Sequence, residues 1–325
     1  MHDTGKFFSF QRRRGGISVK AIIGILLILS AGALYVSSSG HTEAKTAALK
    51  EAKETCVAIK DANVSDPAIE GKLAFLSGTA KSSETLTDNL GISTPGSAVL
   101  MSRTVSYYQW VETVRDKKVG DKTITEYRYS REWVDSPVNS LLFKSFGYTN
   151  STLLEVKKTR LNASAVKIGA YKLPSFAVAA MSPSASMPIV LTPEKIAELE
   201  RLVVTSRSSS SPVMEQYVHV VAGDANQLYF GRNPRIPEIG DVVVTYLYTP
   251  SEKVSLIGKV QGGALTEAKT SDGIELHFAK EGTMTFEGMF DYLLKDTAST
   301  GKLAAVGSAV LGLIGVWLLV RGLRS

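Results

Sequence analysis

The residues best suited to chemistry crowd into one stretch of the chain. Glu112, Glu126, Glu132 and Asp135 bracket two aromatic runs, VSYYQWVE at 105–112 and TEYRYSREWV at 125–134. Two carboxylates held close together can divide acid and base roles in a hydrolysis, one protonated and one ionised. Arg103, Arg115, Arg128 and Arg131 lie among them. With charges of both signs on adjacent segments, cross-strand ion pairing is the simpler use of all eight. The four histidines, His2, His41, His219 and His277, are not at helical ligand spacing, and Cys56 is the one cysteine. An internal disulfide and a cysteine-based zinc site are therefore excluded. Neither a nucleophile elbow, a phosphate loop nor a dinucleotide fingerprint stands between a strand and a helix. The expectation is a non-enzymatic protein without cofactor or metal, with a carboxylate-based envelope hydrolase as the remaining enzymatic alternative.

The same stretch offers a second use, recognition. Tyr108, Trp110, Tyr127, Tyr129 and Trp133 form an aromatic set whose rings can pack on a core or present a contact surface. Thr125, Tyr127, Tyr129 and Trp133 share one parity, and Glu126, Arg128, Ser130 and Glu132 the other, which is the alternation of a half-buried strand. The segment at 99–114 is its expected partner in a hairpin turned at Gly120 and Asp121. In that partner Val105, Tyr107 and Val111 share one face, and Tyr108 and Trp110 the other, so both faces require cover.

Elsewhere DVVVTYLY, KVSLIGKV and GIELHFA are short strand-forming runs bounded by Gly, Pro or Asp. Helical signals are fewer. Residues 42–56 are rich in Ala, Lys and Glu. Thr192 and Pro193 open an amphipathic segment with Ile196, Leu199, Leu202 and Val203 on one face. Thr285 caps a sharper one, in which Phe286, Met289, Phe290, Leu293 and Leu294 follow helical spacing. These elements predict an α+β domain of mostly antiparallel strands. Two Ser- and Pro-rich stretches suggest a sub-boundary near 210.

Two apolar runs flank that domain. Residues 17–36 and 303–320 each match the thickness of a bilayer core as helices. Arg12, Arg13 and Arg14 precede the first, and Arg321 and Arg324 follow the second, so the positive-inside rule places residues 1–16 and 321–325 in the cytoplasm. Residues 37–302 then lie outside, in a periplasm or lumen. A cleavable signal peptide ending near Ala33 is the competing reading of the first run. Ala304, Ser308 and Gly312 recur every fourth residue, a small-residue face suited to packing against another helix, in this chain or in a second copy. The formal charge of +6 lies partly in these tails, and no basic, aromatic-lined face points to nucleic acid.

Several stretches together resemble the transmembrane protein 43 family, also called LUMA. They are RGGISVKAIIGILLI, AKTAALKEA, DPAIEGKLAFLSGTA, ETLTDNLGI, RTVSYYQWVE, TEYRYSREW, YFGRNPRIPEIGDVVVTY, VSLIGKVQGG and TFEGMF, in order from about Gly15 to Asp291. The family's aromatic and acidic exit from the first span is replaced by SSSGHTEAK, and one C-terminal span follows the domain where family members carry several. The resemblance implies a lumenal domain between membrane helices. It also implies an organising role for membrane protein complexes, in the endoplasmic reticulum and inner nuclear membrane of eukaryotes, with emerin and lamins as associates. The composition suggests a bacterial, inner-membrane equivalent with a periplasmic domain. The expected function is a membrane-anchored scaffold whose partners are the bilayer, other membrane proteins and further copies of itself; lipid sensing is the alternative. The resemblance supplies no catalytic residues.

Overall fold

A computed structural model describes residues 18–120, 122–204, 217–221 and 225–324. The arginines at 12–14, Asp121, and the second Ser-rich stretch at 205–212 lie outside these residues. The first apolar run and the Ala-rich segment after it form one continuous helix, α1 (Val19–Thr55), capped by the Ser18 side chain. No Gly-Pro break separates the two, and Ala, Lys and Glu sustain the helix beyond the apolar part. A short α2 (Ser175–Ala179) and an amphipathic α3 (Pro193–Val204) follow. Thr192 Oγ1 accepts from the Lys195 amide at 3.2 Å, as its capping position predicts. Thr285 likewise caps α4 (Phe286–Leu323), which runs unbroken through the second apolar stretch.

At 1.5 Å per residue α1 and α4 are each about 55 Å long, well beyond the roughly 30 Å of a bilayer core. Both are long and apolar enough to cross a membrane. They belong to one compact unit with residues 269–276 and pack antiparallel. A Cβ on Gly24 would meet the Gly315 carbonyl at 2.6 Å, one on Gly322 the Ala21 amide at 2.4 Å, and one on Gly301 the Thr42 side chain at 2.8 Å. Gly301, Ser308, Gly315 and Gly322 thus form a seam of small residues at every seventh position, the repeat of a left-handed helix pair. Of the three residues singled out in sequence, Ser308 is buried and Gly312 faces Ala31, while Ala304 is half-buried and accepts from Ser308 Oγ at 2.8 Å. At the end of the pair where α1 stops and α4 starts Lys53 pairs with Glu287, and at the opposite end Trp317 lies 5.0 Å beneath the Arg321 guanidinium.

The second unit, Val57–Ala268 with His277–Met284, is mostly strand. The fold is α+β, as the sequence predicts. Leu73–Lys81 pairs antiparallel with Ser251–Gln261 from Leu73↔Lys259 to Lys81↔Ser251. The circuit then runs through Ala264–Thr266, Tyr171–Lys172 and Lys167–Ile168 back to Leu73–Lys81, so the first sheet closes on itself. Its inward parity, Ala74, Leu76 and Ala80 against Val254, Leu256 and Val260, is buried. The second sheet has the order Val218–Val220, Gln227–Phe230, Val242–Thr249, Leu100–Val119, Lys122–Val134. Strand pairing therefore crosses position 210 in both sheets. The GIELHFA run is a strand only from Phe278, with an isolated bridge from Glu275 to Lys269, and His277 is half-buried beside Phe176.

Among the described residues one ion pair is fully buried. Arg103 and Asp88 are both buried and bonded, and Arg103 Nη1 also donates to Asn89 at 2.8 Å. Its Nε and Nη2 donate to the Lys157 carbonyl at 3.1 and 2.8 Å. Tyr246 Oη donates to Asp88 Oδ2 at 2.8 Å, and Asp88 Oδ1 accepts from the amides of Leu90 and Ile92. With both carboxylate oxygens of Asp88 occupied, the pair and Tyr246 tie the strands Leu100–Val119 and Val242–Thr249 to the 88–92 turn.

Candidate interaction surface

Leu100–Val119 is a strand of 20 residues, and it changes neighbours along its length. Its first part pairs with Val242–Thr249, from Leu100↔Thr249 to Tyr107↔Val242, and its second part with Lys122–Val134, from Tyr107↔Val134 to Val119↔Lys122. The register places Tyr108 opposite Trp133, Trp110 opposite Arg131, Glu112 opposite Tyr129 and Val114 opposite Tyr127. Directly paired residues share a face. All five aromatic residues singled out in the sequence therefore stand on one side of the hairpin.

The cover over that side comes largely from the chain itself. Tyr148 stacks on Tyr129 with ring centroids 3.9 Å apart and planes 6° from parallel, and meets Trp110 edge-on at 4.9 Å. Phe143 packs on Tyr129 at 5.8 Å. Trp133 lies 5.1 Å from Tyr108 and 6.3 Å from Tyr229. Arg131 sits 5.6 Å over the Trp110 ring, a cation–π contact.

Side chains pin the covering loop to the strand. Beyond the backbone bonds of Tyr108, which accepts from the Gly240 amide and donates to the Asp241 carbonyl, Asn150 acts as a surrogate strand. Its Oδ1 accepts from the Trp110 amide at 2.7 Å and its Nδ2 donates to the Trp110 carbonyl at 2.9 Å. Glu112 Oε2 accepts from Tyr129 Oη at 2.5 Å and from the Lys144 amide at 2.7 Å, and the Ser145 amide donates back to Tyr129 Oη. Glu112 is thus committed to holding the loop. Thus pinned, the loop turns Leu141, Leu142 and Phe146 outward, at 90%, 80% and 103% exposure.

The carboxylates do not converge. Glu132 lies opposite Gln109 and so on the other face from Glu112, where it accepts from Ser130 Oγ. Glu126 faces Arg115 in register but pairs with Arg128 along its own strand at 3.1 Å. Past Glu112 the hairpin is an arm largely exposed on both faces, with Val114, Val119, Ile124 and Tyr127 in solvent. Gly120 turns it at a φ of 63°, a conformation that a side chain disfavours.

Sequence patterning did not reveal Phe143, Tyr148, Asn150 and Tyr229 as parts of this surface. The SLLFKSFGYTN loop has no period, so its aromatic residues carried no sign of where they pack. Burial raises the pKa of the Tyr229 phenol, and its bond to Asp241 raises it further.

The chain matches the family model described as Transmembrane protein 43 over residues 107–325. It is similar to Transmembrane protein 43 of Homo sapiens, 26% identical over 316 residues that make up 92% of this chain and 73% of the human one. The Drosophila melanogaster Transmembrane protein 43 homolog is 26% identical over 284 residues, 83% of this chain and 68% of its own. No solved structure matches.

Proposed function

Because this chain belongs to the transmembrane protein 43 family and is an integral membrane protein, we propose that it works as a membrane-anchored scaffold, binding other membrane proteins through the Leu100–Val134 hairpin. The observation that carries the reading is the arm itself. A two-stranded ribbon exposed on both faces is at most marginally stable in water, and this one presents Val114, Val119, Ile124 and Tyr127 alongside unpaired strand edges. A partner that adds a strand or covers the apolar residues stabilises it. The opposed placement of Glu112 and Glu132 favours this non-enzymatic role over hydrolysis.

The scaffold reading goes with both termini in the cytoplasm and the strand-rich unit in a periplasm or lumen, the arrangement that the arginines around the spans favour. In a eukaryotic cell that compartment is the lumen of the endoplasmic reticulum and nuclear envelope. The test is co-purification of the full chain from its native membrane, compared with an Ile124→Lys/Tyr127→Lys variant. Specific partners that are recovered with the wild type and lost with the variant support the proposal. Equal recovery by both would remove the arm from it. With Cys56 replaced by serine, a cysteine placed at Lys118 should react with a membrane-impermeant label in intact spheroplasts if the unit is periplasmic, and only after permeabilisation of sealed microsomes if it is lumenal.

A further inference from the structure

Three lysines stand side by side where the first sheet closes. Lys81 is directly opposite Lys167, and Lys167 is directly opposite Lys172 on its other side. Cross-strand partners share a face, so the three ammonium groups project from one side of three adjacent strands. Lys253, opposite Thr79, adds a fourth two residues along the neighbouring strand. Like charges placed directly opposite repel, and a sheet gains nothing by arranging them so. Among the described residues no carboxylate lies within ion-pair distance of Lys81, Lys167 or Lys253. Glu84 feels Lys172 but is occupied by the amides of Ser164 and Ala165 and the Ser164 hydroxyl.

The juxtaposition is built in by close packing. A Cβ on Gly78 would stand 2.6 Å from Ile168, and one on Gly169 would stand 2.2 Å from the Ala62 carbonyl. Both glycines let the Lys167–Lys172 hairpin press against its neighbours, which fixes Lys167 beside Lys81. The result is an open cleft of about 480 Å³ whose walls include Asn63, Ser77, Thr79, Lys81 and Lys167. Ser77 shares a hydrogen bond with Ser255 and Asn63 gives one of its two amide N–H groups to Asp61, which leaves the two ammonium groups, the Thr79 hydroxyl and the second Asn63 N–H as donors.

We propose that this cleft binds a phosphate group, either free or carried on a lipid headgroup. An anion between Lys81 and Lys167 turns their repulsion into two charge-assisted contacts, and several donors around one centre suit the oxygens of a phosphate.

The test uses the full chain in phosphatidylcholine nanodiscs, in phosphate-free buffer at constant ionic strength. Thermal unfolding is followed while inorganic phosphate is titrated, and in parallel in nanodiscs doped with phosphatidic acid. The expected result is a midpoint that rises with phosphate, or with phosphatidic acid, for the wild type; the first identifies a free anion and the second a headgroup. In Lys81→Gln/Lys167→Gln the apparent affinity should fall at least about tenfold, the loss expected when two charge-assisted contacts go. A Lys117→Gln/Lys118→Gln control, with the same change in net charge, should respond as the wild type does. Without phosphate the Lys81→Gln/Lys167→Gln variant should unfold no earlier than the wild type, because a repulsion has been removed. No shift in either arm, or an equal shift in the two glutamine variants, would overturn the proposal.

Discussion

Tyr148 lies flat against Tyr129, ring over ring at 3.9 Å, and this stack closes the covering loop over the aromatic face of the hairpin. Tyr148 also touches Trp110, so one side chain screens two members of the set. Tyr148→Leu keeps much of the apolar area and removes the ring pairing, which is worth about 1 kcal/mol beyond area alone. The expected outcome is a modest loss of stability, together with a red shift of Trp110 fluorescence as water reaches its ring. An unshifted spectrum would mean that Tyr148 does not cover Trp110 in solution.

Asp88 and Arg103 bury opposite charges at the centre of the strand-rich unit. Removing one partner strands the other without water, and such changes destabilise by about 3–5 kcal/mol. Asp88→Leu and Arg103→Met should each show losses of this size in denaturant unfolding. The double variant Asp88→Leu/Arg103→Met should lose less than the sum, since no uncompensated charge remains. Additive losses would show that the two residues act independently.

Much of this arrangement was legible in the sequence. The parity of Tyr108 and Trp110 against Tyr127, Tyr129 and Trp133 gave the hairpin and its aromatic face, because period-two alternation survives wherever one side is more covered than the other. Thr192 and Thr285 announced their helices through capping chemistry. The closure of the first sheet was not legible, since Lys167–Ile168 and Tyr171–Lys172 are too short to show any period. Nor was the Asn150 clasp, in which a loop side chain imitates a strand backbone. Ala304, Ser308 and Gly312 recur every fourth position, while the small residues at the α1 contact recur every seventh, at Gly301, Ser308, Gly315 and Gly322. That spacing emerges only when α1 supplies the opposing surface.

Burial raises the phenols of Tyr107, Tyr229 and Tyr246, and nearby carboxylates raise Tyr229 and Tyr246 further. A folded pKa above the unfolded value near 10 leaves stability intact below about pH 10 and removes it as pH rises toward the folded values. Each phenol should contribute a decline of up to about 1.4 kcal/mol per pH unit in that window. Urea unfolding between pH 9 and 11.5 should steepen accordingly. Tyr246→Phe should flatten that slope, and an unchanged slope would show that its hydroxyl titrates freely.

Cys56 ends α1, and burial pushes its thiol up to about 12. The thiolate, which is the reactive form, is then about a thousandfold scarcer at pH 8 than for an ordinary cysteine. Alkylation by iodoacetamide should be slow at pH 8 in the folded chain and rapid in denaturant. Fast labelling of the native protein would contradict that environment.

The antiparallel packing of α1 and α4 makes the sharpest prediction. A Cβ placed on Gly312 lies 3.7 Å from the Cβ of Ala31, within the 3.5–4.5 Å that a disulfide spans. With Cys56 replaced by serine to leave no competing thiol, Ala31→Cys/Gly312→Cys should cross-link within one chain under mild oxidation. The product should run as a faster-migrating monomer in a non-reducing gel. Pairing Ala31→Cys with Ala298→Cys instead should give no such band, because antiparallel register puts Gly301 beside Thr42, well along the helix from Ala31. A dimer band from Ala31→Cys/Gly312→Cys in place of the fast monomer would mean that the small-residue face of α4 meets a second copy rather than its own α1.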